Sequence, residues 1–285
     1  MDSPVLPPEL EREMFETAAL LDFRTIPSLL RVARRVLEWI EPLLYRVVVI
    51  GRSSQKDKAY RRALELKPTV LAKSVQHLFV IDIDLSHWLE DDMNSLLQLC
   101  ATQLLSLASF SSAFYKPTLL PVLLQAVWLR RWAGRLECLF GGHSAVDLSF
   151  PSFPVFHTIT HMDIFDHFTD ENEEAICAGL ASLPCLTHLC LSYSTRLDPI
   201  ARILIQCPRL RLLVLMDVED EMINEIAENP PTMDVRFVVS GAGSYSRDWE
   251  VGARGGTDFW AAADEFVARK RRGEIEASHF LLDHF

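Results

Sequence analysis

The segment Leu186-Thr187-His188-Leu189-Cys190-Leu191 is echoed, 24 residues on, by Leu210-Arg211-Leu212-Leu213-Val214-Leu215. Both read apolar-x-x-Leu-x-apolar. Apolar and variable positions alternate as in a half-buried strand, whose successive side chains point to opposite faces. Around them lie segments of helical pattern, Glu173–Leu183, Pro199–Gln206 and Glu221–Glu228, followed by Pro184, Pro208 and Pro230-Pro231. A strand and a helix on a short period cannot bury an apolar face alone, so stacked copies are expected to build a parallel βα solenoid.

The pattern recurs at Val75-Gln76-His77-Leu78-Phe79-Val80 and Ile159-Thr160-His161-Met162-Asp163-Ile164, with weaker copies at Leu104–Leu107, Leu136–Leu139 and Val235–Val239. The central apolar residues fall at 78, 107, 139, 162, 189, 213 and 237, with intervals of 29, 32, 23, 27, 24 and 24. Leucine-rich repeats recur every 20–29 residues or so. Cys207-Pro208-Arg209-Leu210-Arg211-Leu212-Leu213 resembles the start of such a repeat in F-box proteins that carry them. The asparagine of that family's repeats is replaced by Ser194 or Val218. The expected fold class is therefore α/β, an irregular leucine-rich-repeat-like solenoid over 74–240.

Alternation assigns the inner sheet surface to His77, Phe79 and Ile81; His161, Asp163 and Phe165; His188, Cys190 and Ser192; Leu212, Val214 and Met216; and Arg236, Val238 and Ser240. The inner surface of a solenoid is its usual binding face. His77, Phe79, His161, Asp163, Phe165, His188 and Arg236 are thus the candidate target-binding residues.

The first fifty residues read as a compact helical head. Pro7 and Pro8 suit a first helical turn, where a missing N–H costs little. Leu29, Val32, Val36, Trp39 and Ile40 recur at helical spacing, and Pro42 is expected to end that helix. The motifs Leu6-Pro7-Pro8-Glu9-Leu10 with Phe15, Ile26–Val36, and Trp39 followed by Pro42-Leu43-Leu44-Tyr45-Arg46 resemble an F-box, particularly the divergent F-box-like heads of fungal proteins. Where that family has Cys-Arg-x-Trp, this chain reads Ala33-Arg34-Arg35-Val36, with Trp39 three places later. The resemblance implies that Leu6, Pro7, Leu10 and Phe15 dock on a Skp-type adaptor. Read from the residues alone, the head is a cap for the first repeat. Residues 51–73 form a charged connector, expected as a solvated loop and short helix.

Charge is uneven. Residues 163–234 carry 4 Lys/Arg against 14 Asp/Glu, −10 of the chain's −11. Phosphate backbones are repelled there, which argues against nucleic acid as a partner. The acids Asp166, Asp170, Glu171, Glu173 and Glu174, and Asp217, Glu219, Asp220 and Glu221, follow strands directly. On that reading they line one edge, as a rim for a basic partner or as acids complementing helix N-termini.

Other chemistry is not called for. Six scattered cysteines without CxxC spacing read as small core residues. Asp2, Glu9, Glu11 and Glu13 interrupt any secretory pattern, and the longest apolar stretches are short for a bilayer. A cytoplasmic or nuclear protein that binds no membrane is expected. His157 and His161, four apart on a strand, stand roughly 13 Å apart at about 3.3 Å per residue, too far to share a metal. The glycine-rich segments at 141–144 and 252–257 match no phosphate loop. Thr257 to Arg272 reads as a helix closing the last repeat within 241–285, and Arg269-Lys270-Arg271-Arg272 is a candidate nuclear signal.

The resemblance as a whole implies a substrate receptor of a cullin–RING ubiquitin ligase, the head on the adaptor and the repeats on a protein target. The alternative is a non-catalytic scaffold unrelated to ubiquitin. Neither reading makes the chain an enzyme or calls for a cofactor; a hydrolase using His143 or His161 is the remote third.

Overall fold

In a computed structural model of the chain, residues 6–81, 88, 90–110, 128–136, 153–192, 196–241 and 243–282 are described. The fold is α/β, with a parallel sheet in the order β1-β2-β3-β4-β5-β6-β7-β8-β9. The strands are β1 Val47–Ile50, β2 His77–Val80, β3 Ser106–Ser109, β4 Arg131–Gly134, β5 His161–Ile164, β6 His188–Ser192, β7 Leu212–Met216, β8 Phe237–Ser240 and β9 Leu281–Leu282. The helices are α1 Pro8–Leu21, α2 Ile26–Leu29, α3 Arg34–Leu44, α4 Ser54–Leu66, α5 Pro68–Ser74, α6 Glu90–Cys100, α7 Glu173–Ser182, α8 Asp198–Gln206, α9 Asp220–Glu228, α10 Tyr245–Ala253 and α11 Phe259–Arg271.

The repeat markers line up across the sheet. Val48 pairs with Leu78, and the row continues through Leu107, Trp132, Met162, Leu189, Leu213 and Phe237. Two expectations are corrected. The expected copy at Leu136–Leu139 is not the fourth strand, which is Arg131–Gly134; residues 137–139 lie outside the described residues. Val47–Ile50, assigned to the head, is the first strand of the sheet.

Alternate strand residues feed two different cores. Val48, Leu78, Leu107, Trp132, Met162, Leu189, Leu213 and Phe237 pack against Leu71 of α5, Leu97 of α6, Leu180 of α7, Ile203 of α8 and Ile226 of α9. Val49, Phe79, Ala108, Ala133, Cys190, Val214 and Val238 face the other way and meet Tyr245, Phe259, Trp260, Ala263, Phe266 and Val267. The inner face is therefore a second buried core beneath α10 and α11. Two-sided burial explains continuous apolar runs such as Val47-Val48-Val49-Ile50, where a half-buried strand would alternate. Ala108 and Ala133 leave room for the aromatic rings laid over them.

The expected role of the last helix, closing the end of the repeats, is corrected accordingly: α11 crosses the sheet face. Asp258 at its start meets Arg131 of β4, and Lys270 at its end donates to the Phe237 carbonyl of β8. Segment α10–α11 then feeds β9, which pairs with β8. The β8-to-β9 connection thus passes over the face opposite to those through α8 and α9. Since the strands advance in the same direction throughout, it has the opposite hand. The basic run is tied down as well. Lys270 is buried, and Arg272 pairs with Glu265 and Glu274.

The head closes on Ala19, Ile26, Val36 and Ile40, with Phe15, Leu29, Leu43 and Trp39 packed around them. Its long helical stretch is broken at Leu30–Ala33, where Ala33 is extended, into α2 and α3. Pro42 does not end α3, which runs two residues past it. Residues 51–73 are mostly helical, as α4 and most of α5. The five described cysteines are free thiols, four of them buried. Among the described residues no helix is long and apolar enough to cross a membrane.

Candidate functional site

Alternation placed most of the inner-face residues correctly, but the expectation that they form an open binding face is corrected. Phe79, Asp163, Phe165 and His188 are buried under α10 and α11, and His77 and His161 are half-buried. Arg236 is not on that face. Its guanidinium donates to the carbonyls of Leu204 and Leu210 and pairs with Asp234, a staple between neighbouring repeats on the helix side. It lies just before β8, where the strand alternation used to place it has not begun.

Beneath α10 and α11 lies a polar seam. Tyr245 donates to Asp163, whose other oxygen, Oδ1, has no partner. Arg131 bonds Asp258 at 2.7 Å, and Asp258 also caps α11 through the Ala261 N–H. The His161 and His188 rings stack at 4.1 Å, both edge-on to Trp260. Thr160 and Thr187 hold the two Nδ1 atoms, and His188 Nε2 lies 3.1 Å from Asp264. Both ring nitrogens of His77 are buried without a partner.

Burial dominates the electrostatics. It pushes the Asp163 carboxyl up to about 7, against the lowering hydrogen bond from Tyr245. It pushes His77 down to about 4 and His161 down to about 2, helped by Arg46 at the first and His188 at the second. Desolvation disfavours the charged form in each case. The covering segment is also anchored at its edges, by Arg52 to Glu250 at 2.7 Å and by Arg254 stacked 4.3 Å from the Phe23 ring of the head.

Chemically, this seam holds a segment in place rather than presenting a reactive group to solvent. His161, named for the remote hydrolase reading, sits neutral against Trp260, and His143 lies outside the described residues. His157 ends a 3-10 turn and His161 opens β5. Among the described residues no group of three or more His, Cys, Asp or Glu is placed to hold a metal ion.

The expected acidic rim divides. Asp166 and Glu173 are buried, Asp166 accepting from the Leu136 N–H and Glu173 paired with Arg202 and Arg196. Asp170 pairs with Arg196. Asp217 is half-buried in a left-handed conformation at φ 55, and burial raises its carboxyl. Glu171, Glu174, Glu219, Asp220 and Glu221 remain exposed. An unbroken rim of nine is thus corrected to six exposed acids, one of which, Asp170, is held by Arg196; Asp166, Glu173 and Asp217 are drawn into the fold.

In the head, Leu6 and Leu10 are 49% and 48% exposed, Pro7 is exposed, and Met14 continues their row at the same four-residue spacing. Phe15 belongs to the core side of α1, so its assignment as an adaptor contact is corrected. Arg35 of α3 grips Glu11 through two bonds of 2.7 and 3.0 Å and fixes how α1 lies. Sequence reasoning missed the cover formed by α10 and α11; the continuous apolar strands and Tyr245, Trp249, Phe259 and Trp260 after β8 were its signal.

The chain matches no protein-family model and no curated protein.

Proposed function

We propose that this chain is a non-catalytic protein-interaction subunit, an F-box-like head followed by a degenerate leucine-rich-repeat-like solenoid, acting as the substrate receptor of a cullin–RING ubiquitin ligase. The observation that carries the reading is the row Leu6, Leu10 and Met14, which leaves the outer side of α1 apolar and uncovered while Phe15 closes the head from within. That is the arrangement a helix needs to dock in an apolar groove of a partner. The partner is a Skp-type adaptor, as the F-box resemblance implies. The receptor itself supplies no chemistry; it raises the local concentration of a target lysine near the charged ubiquitin carrier.

The target site moves from the inner sheet, filled by α10 and α11, to the exposed carboxyl-end acids Glu171, Glu174, Glu219, Asp220 and Glu221, which suit a basic protein partner. The test is capture of purified Skp-type adaptor by the full chain and by Leu6→Asp/Leu10→Asp, with circular dichroism as the folding control. Capture by the wild type and its loss in the folded double variant support the reading. No capture by the folded wild type overturns it and leaves the head as a cap on a scaffold.

A further inference from the structure

The carboxyl ends of β7 and β8 open on a cleft of ≈ 360 Å³, with the last strand residues Met216 and Ser240 on its wall. The chain leaves β7 toward α9 on the helix-covered face and leaves β8 toward α10 on the opposite face. Where neighbouring connections diverge to opposite faces of a parallel sheet, a crevice opens beyond the strand ends, and open α/β sheets bind ligands there. The volume falls in the range of small-molecule sites, roughly 300–1,000 Å³.

Several polar groups around this cleft are unused. Ser240 is only 5% exposed, borders the cleft, and its hydroxyl bonds to none of the described residues. Ser244 occupies the N-cap of α10 without making a side-chain capping bond. Arg247, in the first turn of α10, borders the cleft and has no ion pair among the described residues. The positive end of the helix dipole adds to the guanidinium there. Asp248 also faces the cleft, with one carboxylate oxygen accepting from the Phe259 N–H. One guanidinium and a helix end against one carboxylate leave room for a single negative charge and oppose two.

We propose that this cleft binds a monocarboxylate with an apolar body. Arg247, Ser240 and Ser244 receive the carboxylate, and Met216, Val251 and Phe259 pack against the apolar part. A free hydrophobic acid and the carboxyl end of a peptide share that chemistry. The cleft uses no residue of the head.

The experiment is calorimetric titration of the full chain with 3-phenylpropionate, its primary amide, inorganic phosphate, and a tetrapeptide ending in phenylalanine with a free or an amidated terminus. The acid is expected to bind and its amide to fail. The exposed Arg247→Gln should weaken binding about tenfold or more without changing the circular dichroism spectrum, since a charge-assisted hydrogen bond is lost. Ser240→Ala should weaken it severalfold. Binding of the free-ended peptide alongside the acid identifies a chain end as the source, and binding of the acid alone identifies a free acid. The proposal is overturned by a folded chain that binds no carboxylate, by affinity that Arg247→Gln leaves unchanged, or by phosphate binding more tightly than the acid.

Discussion

The phenol of Tyr245, at the start of α10, donates a hydrogen bond to the carboxyl of Asp163 in β5, and both side chains are buried. The bond ties the segment that follows β8 to the middle of the sheet. Around it lie Phe79, Phe110, Phe165 and Trp249, with Phe79 and Trp249 ring centroids 5.1 Å apart. It is a polar contact inside an aromatic seam, where an unpaired oxygen is expensive.

Tyr245→Phe keeps the ring and removes the donor, leaving both Asp163 oxygens unpaired. The expected loss is about 1–3 kcal/mol, read as a lower urea midpoint at unchanged slope. Wild-type stability in the variant would mean that the bond does not hold the cover.

Asp163 titrates near 7 in the folded chain against an ordinary value of 3.8, so the folded state holds its proton more tightly. That stabilisation is fully present below about pH 4 and is lost as pH rises through 7. His77 and His161, lowered to about 4 and about 2, act in the opposite sense: their contribution is present above about 6.5 and is lost as pH falls. Asp163→Asn removes only the first effect. Wild-type stability minus variant stability should therefore fall between pH 4 and pH 7; a flat difference contradicts the protonated carboxyl.

Gly252 packs so closely on Asp258 that a Cβ there would collide with the carboxylate holding Arg131 and capping α11. Gly252→Ala should destabilise by about 1–3 kcal/mol. Gly243→Ala, whose Cβ meets nothing within 4 Å, should stay within about 0.5 kcal/mol of wild type in the same denaturation experiment.

In the head, Ile40 is fully buried and Leu21 is 83% exposed. Ile40→Ala should destabilise by about 2–5 kcal/mol through lost burial and the cavity left behind. Leu21→Ala should leave the melting temperature unchanged. Equal effects would mean that the head core is not closed as described.

Ending the chain after Ser240 removes α10, α11 and β9 and uncovers Phe79, Leu212, Val214 and Val238. The shortened chain should bind a hydrophobic dye strongly and associate on size exclusion, because a large apolar patch is left bare. A monomeric, dye-silent product would show the inner face to be stable in water.

The strand markers and the two faces of the sheet were legible in the amino-acid pattern. Leu78, Leu107, Met162, Leu189, Leu213 and Phe237 stand in one row because a period-2 pattern within each strand and a period of 20–30 residues between strands are both local in the chain. β4 escaped that reading: Arg131-Trp132-Ala133-Gly134 has no leucine and takes small residues where aromatic rings lie over it. Alternation also says which side chains share a face, but not what covers that face. That Asp163, 82 residues from Tyr245, is sealed by it, and that the chain leaves the paired carboxyl ends of β7 and β8 toward opposite faces beside a cleft, follows from long-range packing alone. Burial depends on which distant segment folds back over a surface, and no spacing within one repeat encodes the path of another.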